Sequence, residues 1–298
     1  MSKGDCPPDV ALVADIGGTN ARFALTELGA PNATLREMRA LKASEFASLE
    51  HAIEHYLSEV GVAPKRAALA VASPADRDEI RLTNRAWSFS RSALQRACGF
   101  DELLVINDFG AVAWAVPALT QADRETLHGP TSGPLRGPVT VMGPGTGLGV
   151  AMLVGDESRG WQVVETEGGH VTYAPIGEEE HAISRWLTSQ FGRCSNERVL
   201  CGAGLAHVDA VLRGVTHDLD AKVVLREPKD IVAAAEWNAR TSQAGDLVAN
   251  RHGMGRELFA MMRAQVGTAE QGGSALFVDE DASRASATPH APAGVHGA

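Results

Sequence analysis

Asp15-Ile16-Gly17-Gly18-Thr19-Asn20-Ala21-Arg22 decides how this chain is read. The apolar run Val10-Ala11-Leu12-Val13-Ala14 leads into it and Phe23-Ala24-Leu25 leaves it, so two strands meet at a glycine-rich turn. Adjacent glycines allow a tight bend and let a ligand approach the backbone with no Cβ in the way. Successive N–H groups in such a turn make a concave anion site, to which Thr19 and Asn20 add side-chain donors. Asp15, at the end of the incoming strand, is placed to orient a hydrated cation. These features suit phosphate chemistry. A plain hairpin uses the same residue types, and this turn alone does not separate the two readings.

A second stretch does. Thr140-Val141-Met142-Gly143-Pro144-Gly145-Thr146-Gly147-Leu148-Gly149-Val150-Ala151-Met152 repeats the order strand, glycine turn, strand. Gly18-Thr19 aligns with Gly145-Thr146, and Phe23-Ala24-Leu25 with Val150-Ala151-Met152. Two copies imply two related subdomains, each offering a phosphate turn to one nucleotide. Neither turn is a Walker loop, because no Gly-Lys-Ser/Thr follows. Neither opens a dinucleotide-binding unit, because a strand follows the glycines where that unit needs a long helix.

The chain has 298 residues, 44% of them hydrophobic and 21% charged, enough to bury a sizeable core in one or two domains. A formal charge of −10 argues against nucleic acid as a partner, since phosphate backbones select basic faces. It suits an anionic ligand held by local donors. Met1-Ser2-Lys3-Gly4-Asp5 lacks the apolar run of a signal peptide, and no uninterrupted apolar stretch has the ~18 residues of a membrane span. Cys6, Cys98, Cys194 and Cys201 show neither zinc spacing nor the density of a disulfide framework. Reduced thiols in a cytoplasm are the expectation.

Periodicity predicts a helix over 44–61, a buried strand over 67–72, a helix from Arg91 to Ala97 capped by Ser90 and ended by Gly99, and a strand over 103–106 that delivers Asn107 and Asp108. Further helices are predicted over 112–119, 178–191, 197–212 and 230–237, and strands over 138–142 and 150–154. In the helix over 178–191, Ile183, Trp186, Leu187 and Phe191 should share the buried face, and Trp87, Trp114 and Trp161 also read as packing residues. Strands alternating with helices argue for an α/β layered fold.

In these motifs the chain resembles the bacterial glucokinases, within the hexokinase, actin and sugar-kinase superfamily. The resemblance rests on Asp15 to Arg22, Leu82-Thr83-Asn84-Arg85-Ala86-Trp87-Ser88-Phe89, Ile106-Asn107-Asp108-Phe109, Gly143 to Gly149, Glu167-Gly168-Gly169-His170 and Glu197-Arg198-Val199-Leu200, in the family's order. It is to the branch without a cysteine-rich zinc loop. It implies a two-domain actin-like (ribonuclease H-like) ATPase fold with duplicated mixed-sheet subdomains and a cleft between them. Residues 1–110 should form the small domain, 111–260 the larger one, and 261–298 an atypical, disordered tail. From about residue 256 the chain departs from the family, whose glycine-rich adenosine segment is not recognisable here beyond a weak trace at Gly272 to Val278. Divergence or a shifted reading frame would produce such an end.

The activity implied is ATP-dependent phosphorylation of glucose at its 6-hydroxyl, the first step of glycolysis. Such a transfer needs an in-line hydroxyl, neutralised phosphate charge and a base. Asp108 matches the family's base, although Asn-Asp before an apolar run is also a helix-capping signal. The resemblance makes Asn84, Asn107, Asp108, Glu167, His170 and Glu197 the glucose-binding set. Asp15, Gly17, Gly18, Thr19 and Asn20 would meet one part of ATP, and Gly143, Gly145, Thr146 and Gly147 another. Mg²⁺ would arrive with the nucleotide, its waters held by Asp15. The implied partners are glucose, ATP and, as often in the family, a second copy of the chain in a homodimer. The alternative is a glucose-binding sensor or decayed paralogue with little kinase activity, because the adenosine segment is missing. A DNA-binding repressor is disfavoured by the acidic charge, and a phosphatase by the paired sugar motifs.

Overall fold

The computed structural model describes residues 10–29, 34–82, 87–120, 123, 135, 137–216, 223–241 and 274–277. The chain divides into two compact units, residues 1–118 and 119–298.

The first unit is built on β1 (Val10–Ile16), β2 (Asn20–Glu27) and β3 (Leu35–Lys42), followed by α1 (Leu49–Val60) and β4 (Arg66–Val71). A small hairpin of β5 (Glu79–Arg81) and β6 (Ser88–Ser90) comes next, then α2 (Arg91–Cys98), β7 (Glu102–Asn107) and α3 (Asp108–Ala115). The main sheet has the order β3-β2-β1-β4-β7, antiparallel across β3, β2 and β1 and parallel across β1, β4 and β7. Leu12, Ile16, Leu69, Val71 and Val105 project into one core with Ile53 and Tyr56 of α1. Tyr56 stacks on Phe23 at 5.2 Å between ring centroids and donates its hydroxyl to the carbonyl of Glu37. Burial, with the nearby Glu37 carboxylate, pushes the Tyr56 phenol up to about 12.

Helix α1 begins at Leu49, five residues later than the periodicity predicts. Ser48 caps it by accepting the N–H of His51, while residues 43–45 form a separate 3₁₀ turn and Phe46 is extended. Apolar spacing extends past the cap because Phe46 still packs on the core, and packing does not require a helix. Strand β3 escapes sequence reading because Leu35 and Met38 are exposed and no buried alternation marks it. Helix α3 opens at Asp108, four residues earlier than predicted, because Asn107 supplies a cap.

The second unit starts with β8 (Val139–Pro144), β9 (Leu148–Asp156) and β10 (Gly160–Thr166). Helices α4 (Gly177–Phe191), α5 (Asn196–Val199), α6 (Gly202–Leu212) and α7 (Pro228–Thr241) follow, and then β11 (Ser274–Phe277). Its sheet has the order β10-β9-β8-β11, with β11 parallel to β8 and the other pairs antiparallel. That order repeats β3-β2-β1-β4, strand for strand and direction for direction, so the duplication seen in the two glycine turns extends to whole mixed sheets. β11 comes from within the segment expected to be disordered. The rest of residues 261–298 lies outside the described residues.

The single helix predicted over 197–212 is two helices. Cys201 caps α6 through its sulfur, and a Cβ at Gly204 would meet the carbonyls of Val199 and Arg198, so the chain turns sharply between them. Trp87 and Trp186 are core residues, but Trp114 and Phe191 are 49% and 41% exposed, which corrects their assignment to packing faces. Both lie at the C-terminal ends of their helices, where the buried stripe runs out. Glu180 of the acidic run 178–180 is a structural acceptor, taking the Tyr173 hydroxyl at 2.7 Å and the Ile176 N–H at 2.8 Å.

Asp209 of α6 is buried and receives Arg213 at 2.8 Å and also Arg226. Burial alone would raise this carboxyl. The hydrogen bonds and charges of Arg226 and Arg213 outweigh it and hold the group below the usual carboxylate range. A folded-state value below the unfolded one adds stability above the ordinary carboxylate range, and that stability is lost as the pH falls through the lowered value. Asp209→Ala should therefore cost about 2–3 kcal/mol at neutral pH, less than breaking a fully buried pair because both arginines are partly solvated. Urea unfolding at pH 7 and near pH 3 tests this: the gap between variant and parent should shrink in acid.

Candidate active site

The first glycine turn joins β1 to β2. Asp15 and Arg22 stand directly opposite each other on these strands and form an ion pair at 2.5 Å, each side chain about half exposed. Gly17 N–H closes the turn on the carbonyl of Asn20 at 3.0 Å, and Thr19 accepts the N–H of Ala43. The second turn joins β8 to β9, where Gly145 N–H meets the carbonyl of Gly147 at 2.8 Å. The Gly145 carbonyl accepts the N–H of Gly202 at the start of α6. Counted back from the outgoing strands, Gly18-Thr19 matches Gly145-Thr146, and the first turn carries one more residue on its incoming side. None of Gly17, Gly18, Gly143, Gly145 and Gly147 has a positive φ. Bending is thus not what demands glycine at these positions.

Asn107 ends β7, and its amide oxygen caps α3 by accepting the N–H groups of Phe109 at 3.0 Å and Gly110 at 3.2 Å. Its amide nitrogen points to the carbonyl of Ser73 at 3.5 Å. Asp108 is the first residue of α3, half-buried, and its Oδ1 accepts the Phe109 N–H at 2.9 Å. Asn107 carries the cap, so the sharp strand-to-helix junction presents Asp108 at the sheet's edge, where open α/β sheets place reactive groups. Asn84 lies outside the described residues.

In the second unit three segments converge. Residues 168–170 form a 3₁₀ turn after β10, anchored where Thr166 Oγ1 donates to the carbonyl of Val150 and accepts the N–H of Gly168. This turn puts His170 between two carboxylates, with Nε2 at 3.5 Å from Glu167 and Nδ1 at 3.8 Å from Glu197. Glu197 comes from α5, where Ser195 caps the helix, and its Oε2 accepts the N–H of Leu148 at 3.1 Å. The loop before α5 is stitched to residues 171–173 by backbone bonds from Asn196 to Val171 and from Tyr173 to Cys194. Arg193 donates to the carbonyl of His170 at 2.6 Å. Glu167 and His170 are exposed and Glu197 is half-buried, so the cluster is open to a polar ligand.

Arg22, Leu148 and Arg193 escaped sequence reasoning. Arg22 stands inside the opening motif, and strict alternation across a hairpin would have paired it with Asp15. Leu148 acts through its backbone N–H, which leaves no trace in residue type, and the Arg193 side chain acts on the backbone carbonyl of His170, an acceptor that residue type does not reveal. Among the described residues no group of three or more His, Cys, Asp or Glu is placed to hold a metal ion. His207 is structural: its Nδ1 accepts the Trp186 indole N–H at 3.0 Å, and burial, with Arg198 nearby, pushes it below the usual histidine range.

A duplicated mixed sheet, with a glycine turn on the first hairpin of each copy and a polar cluster beside the second, defines the actin-like ATPase class of sugar kinases. The chain superposes on the crystal structure of a glucokinase from an Antarctic psychrotroph with a TM-score of 0.67 at 31% identity, covering 93% of this chain and 85% of that one. Residues 12–255 match the glucokinase family profile, and the chain belongs to that family. It is 43% identical to a glucokinase of Marinobacter nauticus over 242 residues, 80% of this chain and 72% of that one. It is 42% identical to a glucokinase of Xanthomonas campestris over 247 residues, 81% of this chain and 72% of that one. The match to the family ends where the sequence is expected to leave it.

A Cβ at Gly169 would run into the carbonyl oxygen and side chain of Leu148, and backbone cannot step aside. Gly169→Ala should therefore destabilise the second unit by about 1–3 kcal/mol, read as a lower midpoint in thermal unfolding.

Proposed function

We propose that this chain transfers the γ-phosphoryl group of ATP to the 6-hydroxyl of glucose, giving glucose 6-phosphate and ADP. The observation that carries this is the convergence of Glu167 and His170, from one turn, with Glu197, from a separate helix, into one open polar cluster. Sugar recognition needs such fixed groups, because a site that hydrogen-bonds several hydroxyls rejects analogues lacking them. In this reading Glu167, His170 and Glu197, with Asn107 and Asn84, hold the sugar hydroxyls. Asp108 takes the proton of the attacking hydroxyl, its carboxylate oriented by the Phe109 N–H.

The donor set also suits Mg-ATP. Asp15 is a hard carboxylate of the kind that holds magnesium through water, and Arg22 fixes its direction. Gly17, Gly18, Thr19 and Asn20 of the first turn, and Gly143, Gly145 and Thr146 of the second, line the phosphates in this reading, with the Thr19 and Thr146 hydroxyls as side-chain donors while the N–H groups of Gly17 and Gly145 close their turns. Magnesium, when bound, neutralises charge on the phosphates. The family membership and the two-turn architecture support the same reading.

The test is glucose 6-phosphate formation with glucose and Mg-ATP, for the parent chain and for Asp108→Ala. Turnover should fall by about 10²–10⁴-fold in the variant, the usual worth of a positioned base, while glucose still binds. A folded parent that binds glucose and makes no product would overturn the kinase reading and leave a glucose-binding sensor in its place.

A further inference from the structure

Gly147 belongs to the second glycine turn, whose expected partner is phosphate. Its surroundings point elsewhere. A Cβ built on Gly147 would meet Glu197 Oε2 at 2.5 Å, and the next nearest atoms, at 3.2 Å and 3.8 Å, also belong to the Glu197 side chain. Its φ is not in the left-handed region, so alanine fits the backbone. What glycine provides here is room for one carboxylate.

That carboxylate is hydrogen-bonded at one oxygen and faces a histidine with the other. Oε2 accepts the N–H of Leu148, the residue after Gly147, and Oε1 faces His170 Nδ1 at 3.8 Å. Leu148 is also the residue against which Gly169 packs. The glycine turn, the 168–170 turn and α5 therefore form one junction in which the carboxylate fills the space a side chain at 147 would occupy.

Resting on the glucose-binding reading above, we propose that Gly147 is a positioning residue for Glu197, and that it sets the affinity for glucose through that carboxylate. The steric conflict at Gly147 is with the far end of a flexible side chain, which can swing away at little cost to the fold. Gly147→Ala should leave stability close to that of the parent but displace Glu197 from Leu148 and His170. This is the opposite of Gly169, where the conflicting atoms include backbone.

The experiment is calorimetric titration with glucose alone and with ADP alone on Gly147→Ala, Glu197→Asp and the double variant, with thermal unfolding of each. Gly147→Ala should weaken glucose binding about tenfold, the ~1.4 kcal/mol expected when a fixed acceptor is lost. ADP binding without glucose should change less than about threefold, within ~0.7 kcal/mol. Shortening the acid opens the space, so adding Gly147→Ala to Glu197→Asp should cost no further glucose affinity, the non-additivity of two residues acting through one contact. Four results would overturn the proposal: unchanged glucose affinity in Gly147→Ala, an ADP defect as large as the glucose defect, full additivity in the double variant, or an unfolded Gly147→Ala chain. A parent chain that binds no glucose would instead remove the functional reading beneath it, so the two failures are distinguishable.

Discussion

Much of the second unit depends on what Leu148 does with its backbone. Its N–H fixes Glu197 and its carbonyl lies where a side chain at 169 would go. Its own side chain is buried in the core with Val150, Tyr173, Ile183 and Leu187. One residue thereby ties the hydrophobic core, the second glycine turn and the polar cluster into a single junction. A buried backbone N–H must find an acceptor, and here the acceptor is the Glu197 carboxylate of the polar cluster. Core packing and site geometry are thus the same constraint at this point.

The glycines divide according to what surrounds them. Gly61, Gly99 and Gly192 have positive φ and end helices, which is the conformational use of the residue. Gly147 and Gly169 have ordinary φ and instead face crowding atoms, the Glu197 side chain at 147 and the Leu148 backbone at 169. A ligand-approach argument explains neither of the last two, because the crowding atoms belong to the protein. Glycine-rich turns in this fold serve the internal fit of the site as well as access to it.

The two units repeat a topology but not its details. Both contain an antiparallel hairpin extended by a third strand on one side and a parallel strand on the other. The first turn is one residue longer and is flanked by the Asp15–Arg22 ion pair, whereas the second is flanked by Glu197. A common scaffold with divergent turns allows each copy to hold a different chemical group at an equivalent position, which is how function is grafted on a repeated fold.

The β1–β2 and β8–β9 hairpins, the buried strands β4 and β7 and the caps at Ser90 and Gly99 were legible because their signals are local: alternation, apolar runs and side chains that bond within a few residues; β5, β6 and β10 were not. The family resemblance named Glu167, His170 and Glu197 together, and the structure places His170 within 3.8 Å of both carboxylates. Unreadable were the exposed strand β3, the split between α5 and α6, and the contacts of Leu148, Gly147 and Arg193. Hydrophobic period and turn chemistry act over a few residues, and so they set the repeated strand–turn–strand units and the residue types they carry. Which of those residues meet was settled by packing, since a carboxylate at 197 reaches an N–H at 148 only after the intervening sheet and helices have come together.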